Sequence, residues 1–360
     1  LGISHAARVR HRAGAAEHGA MSGIPIGAEG AGSAVAVAPA PESLLADRSR
    51  PVMVTGAAGF VGAQVCAELS KAGLKVRAFV RSAEKAARRL ATCSAELVVG
   101  DIRDREAVTA ALHGAGAVIH LAAIAVERTG ESYEQVNTEA TATLLDAARD
   151  AGADRVVHMS QNGAAARSPH RFLRSKGIAE ALVRQSGLRW TVLRPSVIFG
   201  PDDEFANVLA RLVRLSPLIF PLPGGGTARF QPIAVADVAR ATRLALENES
   251  TVGGVYALGG PAALTLRQMT ERILLAMDAH RMLVSIPVAA LRPLVALAQR
   301  ILPRPPVTTG LLDLLAEDNT IQGTAIHDVF GITPSPFAAE EIRYLKRIGT
   351  ADAIRSLFRD

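Results

Sequence analysis

Residues 52–62 read VMVTGAAGFVG, a short apolar run followed by a glycine at every third position. The β-branched run predicts a buried strand at Val52–Thr55, and the residues after the last glycines predict a helix at Gly62–Lys71. A glycine turn between a strand and a helix lets the backbone approach a pyrophosphate, whose charge the free N–H groups of the helix receive. Turns and helix ends also favour glycine, so the pattern gains its weight from the strand before it and the helix after it. The stretch therefore predicts a nucleotide-binding turn.

Strands and helices alternate from residue 51 onward. We predict strands at Val52–Thr55, Lys75–Val80, Glu96–Val99, Ala117–Leu121, Arg155–Ser160 and Thr191–Pro195. We predict helices between them at Gly62–Lys71, Glu84–Ala91, Arg105–Leu112, Tyr133–Asp150 and Phe172–Gln185. Apolar strands separated by helices indicate a parallel sheet buried on both faces, with ligands bound across the carboxyl ends of the strands. We therefore expect an α/β fold, a doubly wound parallel sheet with a smaller C-terminal α/β lobe.

The chain has three segments with different patterns. Residues 1–50 are rich in Ala, Gly, His and Arg and have no hydrophobic period, so we expect a disordered leader outside the fold. Residues 51–200 are predicted to form the nucleotide-binding domain, to which residues 236–250 return. Later prolines and glycines mark irregular connections, and no second glycine pattern follows. We assign residues 201–350 to the smaller lobe, which would face a substrate or a partner.

Composition and charge argue against several classes of protein. Hydrophobic residues make up 49% of the 360 residues, enough for a substantial core. The net charge is +6, but the basic residues are scattered, so nucleic acid is not expected as a partner. Cys66 and Cys93 stand without a histidine cluster, which predicts neither a metal site nor a disulfide framework. Such cysteine usage fits a reducing, cytoplasmic compartment.

The most apolar stretch after residue 200 runs from Met282 to Leu302. Pro287, Arg292, Pro293 and Arg300 interrupt it, whereas a membrane-spanning helix needs about 18 uninterrupted apolar residues. The stretch is typical of an apolar helical hairpin or of an amphipathic surface helix. It would pack against its own domain, or dock onto a membrane face or a partner protein.

Polar residues follow the second and third predicted strands. Arg81 comes directly after the second strand, where an acid would bind a ribose 2′-hydroxyl and an arginine can pair with a 2′-phosphate. Arg81 therefore favours NADP(H), and NAD(H) is the alternative if the side chain merely faces solvent. Asp101 can accept from an adenine amino group, or cap the helix that begins near Asp104. The small residues of His120–Ala123 leave room for a ribose beside the fourth strand.

These residues together resemble the extended short-chain dehydrogenase/reductase superfamily, whose members have a Rossmann fold. The resemblance covers roughly residues 51–250 and is carried by Thr55–Gly62, Gly100-Asp101, His120–Ala123, Asn137, Lys176 and Arg194–Pro201. In that superfamily a Ser or Thr, a Tyr and a Lys transfer a proton, and the Lys holds the nicotinamide ribose and lowers the pKa of the Tyr. Here Phe172 occupies the position of the Tyr, and Asn162 by spacing that of the Ser. The resemblance implies that Lys176 keeps its ribose contact and that the usual catalytic set is incomplete.

Carried over to the matching positions, the resemblance implies a row of cofactor contacts along the chain. They are Thr55, Gly56, Ala58, Gly59, Phe60, Val61, Arg81, Asp101, Ile102, Leu121, Ala122, Ala123, Asn137, Ser160, Lys176, Pro195 and Val197.

Further segments are similar to the Rossmann-fold accessory subunit of respiratory complex I and its bacterial relatives. They are residues 172–176, 195–205, 221–226, 231–239, 317–319 and 330–334. This resemblance implies a tightly held NADPH with a largely structural role. It also implies a partner such as a membrane-associated respiratory complex, and a location at the inner face of the cytoplasmic membrane. Phe172 departs even from this group, where a tyrosine often remains, and argues further against redox turnover.

The sequence leaves more than one function open. The first hypothesis is an accessory protein that holds NADP(H) for a structural or regulatory purpose, and a redox-sensing regulator that binds NADP(H) and a protein partner is a separate, third hypothesis. The second is an active reductase, or a nucleotide-sugar epimerase or dehydratase, with an unusual proton donor such as His158, His170 or a water held by Asn162. Its small-molecule substrate would be unknown.

A few other residues have two interpretations each. Arg194 can reach a substrate or brace the two lobes, and Asp237 can cap a helix or contact the other lobe. The acids Asp202-Asp203-Glu204 can bind a metal, but three adjacent side chains point in different directions and are more typical of a solvated turn.

Overall fold

The computed structural model describes residues 48–358. The predicted disordered leader therefore lies outside the described residues, apart from its last three positions. These positions belong to the packed structure, because the Arg50 guanidinium donates to the carbonyl oxygens of Ala115 at 2.6 Å and Gly152 at 3.2 Å. The folded chain thus begins earlier than the predicted boundary at residue 51.

The described residues form short strands and helices in alternation. The strands are β1 (Val52–Thr55), β2 (Val76–Val80), β3 (Ala95–Val99), β4 (Ala117–His120), β5 (Arg155–Met159), β6 (Arg189–Pro195), β7 (Ile198–Phe199), β8 (Ile219–Pro223), β9 (Arg229–Phe230), β10 (Ile233–Ala234), β11 (Val255–Leu258), β12 (Leu264–Thr265) and β13 (Met282–Ile286). The helices are α1 (Phe60–Lys71), α2 (Ala83–Arg89), α3 (Arg105–Leu112), α4 (Ala140–Asp150), α5 (Arg171–Gln185), α6 (Ala206–Leu215), α7 (Val235–Glu247), α8 (Leu266–Ala276), α9 (Val288–Ile301), α10 (Thr309–Leu314), α11 (Ala325–Asp328) and α12 (Thr350–Arg355).

The central sheet has seven parallel strands in the order β11-β6-β5-β4-β1-β2-β3. Helices α1, α2 and α7 bury their apolar sides on one face, and α3, α4 and α5 on the other. Strands β1, β4 and β5 are covered on both faces and fully buried, which is why most of their residues are apolar. The order of strands places the topological switch between β1 and β4, where a doubly wound sheet binds its ligand. The predicted fold class is confirmed.

Most predicted elements agree with the structure to within one or two residues. The largest difference is in the predicted helix Tyr133–Asp150, which begins as a π-helical segment at Glu134–Glu139 before α4. A π turn has one more residue than an α turn, so it re-aims the side chains that follow the end of β4. Asn137, a predicted cofactor contact, lies in this segment.

A second apolar core lies beside the sheet and is built from later parts of the chain. Helices α6 and α8 pack there with β8, β9 and β12, and Phe337 and Leu345 complete the core. β13 pairs in parallel with β8, and β12 pairs antiparallel with β9. The chain also returns to the central sheet after residue 200, through α7 and through β11, which lies beyond the predicted returning segment 236–250. The division into residues 51–200 and 201–350 stays a prediction.

The apolar stretch Met282–Leu302 forms two different elements. Its first residues are β13, and the rest is the single helix α9, which includes Pro293. The predicted helical hairpin is therefore wrong, and the predicted surface helix describes only the second part. No helix within residues 48–358 is long and apolar enough to cross a membrane.

Candidate functional site

The glycine turn forms a tight cradle between β1 and α1. Gly56 has a φ of 67°, and its carbonyl accepts from the Gly59 N–H at 2.9 Å. A Cβ on Gly62 would lie 2.1 Å from the Gly56 oxygen, and a Cβ on Gly56 would lie 2.9 Å from the Ala122 nitrogen. Only glycine fits these positions, so the backbone is exposed to whatever lies above it.

The N-terminus of α1 faces the same edge of the sheet. Its cap residue Gly59 offers no side-chain acceptor, and its first turn contains no acidic residue. The first N–H groups and the positive end of the helix dipole therefore have no competing anion on α1 itself. The cradle fits a dinucleotide pyrophosphate. Ala58, Phe60 and Val61, which we predicted as cofactor contacts, line this turn and are half-buried.

Thr55 joins the cradle to the loop after β4. Its buried hydroxyl accepts from the N–H groups of Leu121 and Ala122, both at 3.2 Å, and bonds His120 Nδ1 at 2.8 Å. The polar atom of Thr55 is thus engaged within the protein. The backbone at Leu121–Ala123, held beside Gly56 by these bonds, is the part left to face a ligand.

Arg81 and Asp101, the polar contacts predicted after β2 and β3, each have an ionic partner within the protein. Arg81 donates to the carboxylate of Glu131. Asp101 forms a paired contact with Arg103, whose Nε and Nη2 lie 2.9 and 2.7 Å from its oxygens. This hydrogen bonding lowers the pKa of the Asp101 carboxyl below its usual value, so the group stays ionised. The predicted capping role belongs to Asp104, whose side chain caps α3. Ile102, also a predicted contact, follows Asp101 in the chain and is buried.

The β4 loop, residues 121–133, lies across the edge of the sheet and is pinned at several points. Glu131 holds Arg81, and the Gly130 carbonyl accepts from Arg103 at 2.7 Å. Glu127 makes a two-point contact with Arg171 on α5, at 2.5 and 2.9 Å. The loop therefore links the ends of β2 and β3 to the start of α5.

Asn137 fixes the base of this loop. Its amide oxygen accepts from the Ile124 N–H at 2.9 Å, and its amide nitrogen donates to Ser175 Oγ at 3.0 Å. The side chain is buried, with 2% of its surface exposed. Asn137 thus ties the β4 loop to α5 through contacts within the protein.

Lys176 is buried on α5, where the carboxyl end of β5 meets the helix. Its Nζ donates to the Met159 carbonyl at 2.7 Å. Burial lowers the pKa of Lys176 to about 8, and the carboxylate of Glu180 opposes that shift. The ammonium therefore lies under the edge of the sheet where the nicotinamide ribose is expected.

Phe172 lies one turn before Lys176, and its ring packs against Tyr133 with the ring centroids 5.9 Å apart. Tyr133 is distant in sequence, so sequence analysis did not place it here. Its hydroxyl donates to the Ala125 carbonyl at 2.8 Å. Burial raises the pKa of this phenol, and the carboxylate of Glu127 adds to the effect. Tyr133 thus lies against the position of the missing tyrosine, with its hydroxyl engaged by a backbone carbonyl.

An ion pair between the buried Glu180 and the partly exposed Arg194 lies beneath the site. Arg194 on β6 donates to both carboxylate oxygens of Glu180 on α5, at 2.8 and 2.7 Å. Ser160 Oγ donates to the same carboxylate at 3.1 Å. Arg194 thus braces α5 against β6, and the Ser160 hydroxyl is part of this network. Pro195 and Val197, the last predicted contacts, follow Arg194 at the end of β6.

Asn162 contacts a segment that sequence analysis did not connect with the site. Its Nδ2 donates to Asn319 Oδ1 at 2.8 Å and to the Thr320 carbonyl at 3.0 Å. His170 Nε2 lies 2.9 Å from a carboxylate oxygen of Glu317. Residues 317–321, called the closing segment below, therefore cross the carboxyl ends of β5 and β6. The similarity of residues 317–319 to a known group was the only sequence signal for this segment.

The histidines proposed as proton donors occupy different surroundings. His158 is fully buried beside His120, and neither of its ring nitrogens has a hydrogen-bond partner within residues 48–358. Burial lowers the pKa of His158 well below its usual value. A neutral, enclosed imidazole is a poor proton donor at neutral pH. His170 lies at the surface of the site in its contact with Glu317.

The acidic turn after β7 is structural. Asp203 is 2% exposed and accepts from the N–H groups of Phe205 and Asn207 at 2.7 and 3.1 Å. The predicted solvated turn is therefore wrong for this residue. Asp237 lies in the first turn of α7, where it accepts from the Ser335 N–H at 2.8 Å and does not cap the helix. Within the described part of the chain, no group of His, Cys, Asp and Glu is arranged to hold a metal.

A sequence family described as NAD(P)H-binding matches residues 56–217. The chain is 33% identical over 230 residues to the mitochondrial NADH dehydrogenase [ubiquinone] 1 alpha subcomplex subunit 9 of Arabidopsis thaliana. That match covers 61% of this chain and 56% of the relative, so the chain spans less than two thirds of the relative's length. It is also 31% identical over 242 residues to a 4-hydroxy-2-methyl-3-oxo-4-farnesyl-3,4-dihydroquinoline-1-oxide ketoreductase of Stigmatella aurantiaca, covering 61% of this chain and 71% of the relative.

Solved structures resemble this fold as well. The dTDP-glucose 4,6-dehydratase DesIV of Streptomyces venezuelae, crystallised with NAD and TYD bound, matches with a TM-score of 0.62. The match covers 82% of this chain and 96% of that chain at 22% identity. Because the identity is low, this likeness concerns the fold alone.

Proposed function

Because the chain belongs to the NAD(P)H-binding proteins of the extended short-chain dehydrogenase/reductase superfamily, we propose that it holds NADP(H) as a structural or regulatory cofactor. The observation that carries this proposal is that α5 contains Lys176 but has Phe172 at the position of the catalytic tyrosine. Lys176 can bind the nicotinamide ribose, but the phenyl ring one turn before it has no proton to exchange. The cofactor, when bound, supplies a nicotinamide that can carry a hydride, and this site lacks the usual acid to accompany that transfer.

The geometry at the carboxyl ends of the parallel strands indicates which residues would hold the cofactor. Gly56, Gly59 and the first turn of α1 would receive the pyrophosphate, and Leu121–Ala123 would border a ribose. Asp101 would face the adenine and Lys176 the nicotinamide ribose. The remaining predicted contacts are proposed to line the same groove.

We propose NADP(H) rather than NAD(H), on the basis of Arg81. The guanidinium lies directly after β2, and 59% of its side-chain surface is exposed, so it is accessible to a 2′-phosphate. No acidic residue stands at position 81 to favour a free 2′-hydroxyl.

We also propose peripheral association with a protein partner at the inner face of the cytoplasmic membrane, by analogy with the complex I relative. Helix α9 supports this, because Leu294, Leu297 and Ile301 lie on one side of it with 63, 54 and 69% of their surfaces exposed. Arg300 lies beside this apolar side, whereas Arg292 lies on the opposite side of the helix and pairs with Asp313 of α10 at 3.2 Å. Such a face suits a membrane-associated assembly.

Denaturing the purified protein and identifying the released nucleotide tests the proposal directly. We expect a stoichiometric nucleotide with a 2′-phosphate. Protein that carries no nucleotide and shows no rise in melting temperature with NADPH would exclude the proposal.

A reductase is the second candidate, favoured by the similarity to the Stigmatella ketoreductase. We would test it by following NADPH oxidation against quinones, ketones and nucleotide sugars, with Lys176→Ala as the control. Turnover that disappears in this variant would establish an enzyme and overturn the structural role of the cofactor.

A further inference from the structure

We propose that the closing segment, residues 317–321, seals the nicotinamide end of the groove, and that Asn162 serves as its anchor rather than as a proton-transfer residue. This inference rests on the proposed cofactor-holding function. Under this proposal, a segment of the same chain occupies the opening through which a substrate would enter the groove.

The anchor depends on the amide of Asn162. Its Nδ2 group has two protons, and its two acceptors are Asn319 Oδ1 at 2.8 Å and the Thr320 carbonyl at 3.0 Å. A serine hydroxyl has one proton and could not make both bonds. Asparagine at the position of the usual catalytic hydroxyl therefore supplies the two donor protons that bind the closing segment.

The segment is also held from the side of the second core. The Asn319 N–H donates to the Arg229 carbonyl at 2.7 Å, and the Arg229 N–H donates to Asp318 Oδ1 at 2.8 Å. Ser196 Oγ, just beyond the end of β6, donates to the Asn319 carbonyl at 2.7 Å. Asn319 thus joins the end of β6 to β9, and the segment bridges the two walls of the groove.

Ile321, the last residue of the segment, packs closely against the neighbouring backbone. A Cβ on Gly259 would lie 2.8 Å from Ile321 Cδ1, so the side chain of Ile321 packs directly on the glycine backbone. The Ile321 N–H donates to Gln231 Oε1 at 3.3 Å. Backbone bonds, an apolar contact and the amide anchor together hold the segment over the ends of β5 and β6.

A seal of this kind would exclude water and small oxidants from a bound nicotinamide. With Phe172 in place of an acid, the site would protect a reduced cofactor and not consume it.

The first measurement is hydrogen exchange of the peptide that contains residues 317–321, in nucleotide-free protein. Asn162→Asp keeps the shape of the side chain, removes the donor and places a negative charge beside two acceptor oxygens. We expect about tenfold faster exchange of this peptide, because two hydrogen bonds that restrain local opening are lost. Asn248→Asp is the matched control, because Asn248 caps a short helical turn elsewhere in the fold. In this variant the exchange of the 317–321 peptide should equal that of the wild type. Equal exchange in Asn162→Asp and wild type would overturn the role of Asn162.

The second measurement is quenching of the fluorescence of bound NADPH by acrylamide. We expect a quenching constant about twofold or more higher in Asn162→Asp and in Glu317→Ala than in the wild type, because the seal no longer excludes the quencher. Glu317 is exposed, so its substitution does not endanger folding. Identical quenching in all three proteins would refute the seal and leave the proposed function standing. Failure of NADPH to bind would instead refute the proposed function, while the exchange measurement would still report on the segment.

Discussion

Arg81, directly after β2, donates to the carboxylate of Glu131 in the β4 loop, 50 residues away in sequence. The residue that we propose to bind a 2′-phosphate is thus already paired with an anion. A bound phosphate and the Glu131 carboxylate would compete for one guanidinium. We therefore predict that Glu131 limits how much of the charge of Arg81 is available to a bound cofactor.

We predict that Glu131→Gln tightens NADPH binding about threefold and leaves NADH binding unchanged, because an exposed ion pair is worth up to about 1 kcal/mol. Arg81→Ala should weaken NADPH binding about tenfold or more through loss of a charge-assisted hydrogen bond. Isothermal titration of both nucleotides measures the effect, with the exposed Glu139→Gln as the control. Equal changes for NADH and NADPH would contradict this role.

The glycine cradle makes a second prediction. Gly62→Ala places a Cβ 2.1 Å from the Gly56 oxygen, so β1 and α1 must move apart. We expect a loss of about 1–3 kcal/mol in the free energy of unfolding, typical of overpacking, together with loss of the nucleotide. In Gly310→Ala the new Cβ meets nothing within 4 Å, and a helical Ala should be neutral or stabilising. Denaturant titration separates the two variants, and similar effects of both would count against the close contact.

The Glu180–Arg194 pair makes a third prediction. Only 3% of the Glu180 side chain is exposed, and its carboxylate accepts from Arg194 and Ser160. Glu180→Gln removes the counter-charge of the partly exposed Arg194 guanidinium, so we expect a loss of about 1.5–3 kcal/mol in unfolding free energy, the range for hydrogen bonds to charged groups. Glu84→Gln breaks an exposed pair with Arg88 on α2 and should cost about 0.5 kcal/mol or less. A loss as small in Glu180→Gln would show that the pair does not support the fold.

The pH dependence of stability follows from two buried histidines. Burial lowers the pKa of His120 to about 3 and that of His158 well below its usual value. Below the unfolded-state value of about 6.5, the unfolded chain binds protons that the native protein does not, so stability decreases as the pH falls. We expect up to about 1.4 kcal/mol per pH unit for each histidine between pH 6 and 4.

His158→Leu should reduce this slope by about half, because one of the two groups no longer titrates. Urea titration at several pH values measures the slope. His113, exposed after α3, provides the control His113→Gln, whose slope should match that of the wild type. An unchanged slope in His158→Leu would show that burial of this histidine does not govern acid stability.

The fold class and the glycine turn could be predicted from the amino-acid sequence. The apolar strands, the alternation of elements and the glycine spacing are local patterns, and local backbone preferences carry most of their information. Lys176 and Phe172 lie on one helix, so their relation followed from spacing alone. The same holds for Arg81, because its position is defined by the end of β2.

The surroundings of these residues depend on long-range packing and could not be predicted. The partners of Asn162, Arg81 and Phe172 are Asn319, Glu131 and Tyr133, and each pair is separated by dozens of residues or more. Periodicity reports which side of an element is buried, but it carries no information about which distant segment lies against that side. The surface helix α9 and the buried Asp203 show the same limit. The glycine stretch at residues 52–62 therefore predicted a nucleotide-binding turn, and long-range packing determined which distant segments lie near the strand ends around it.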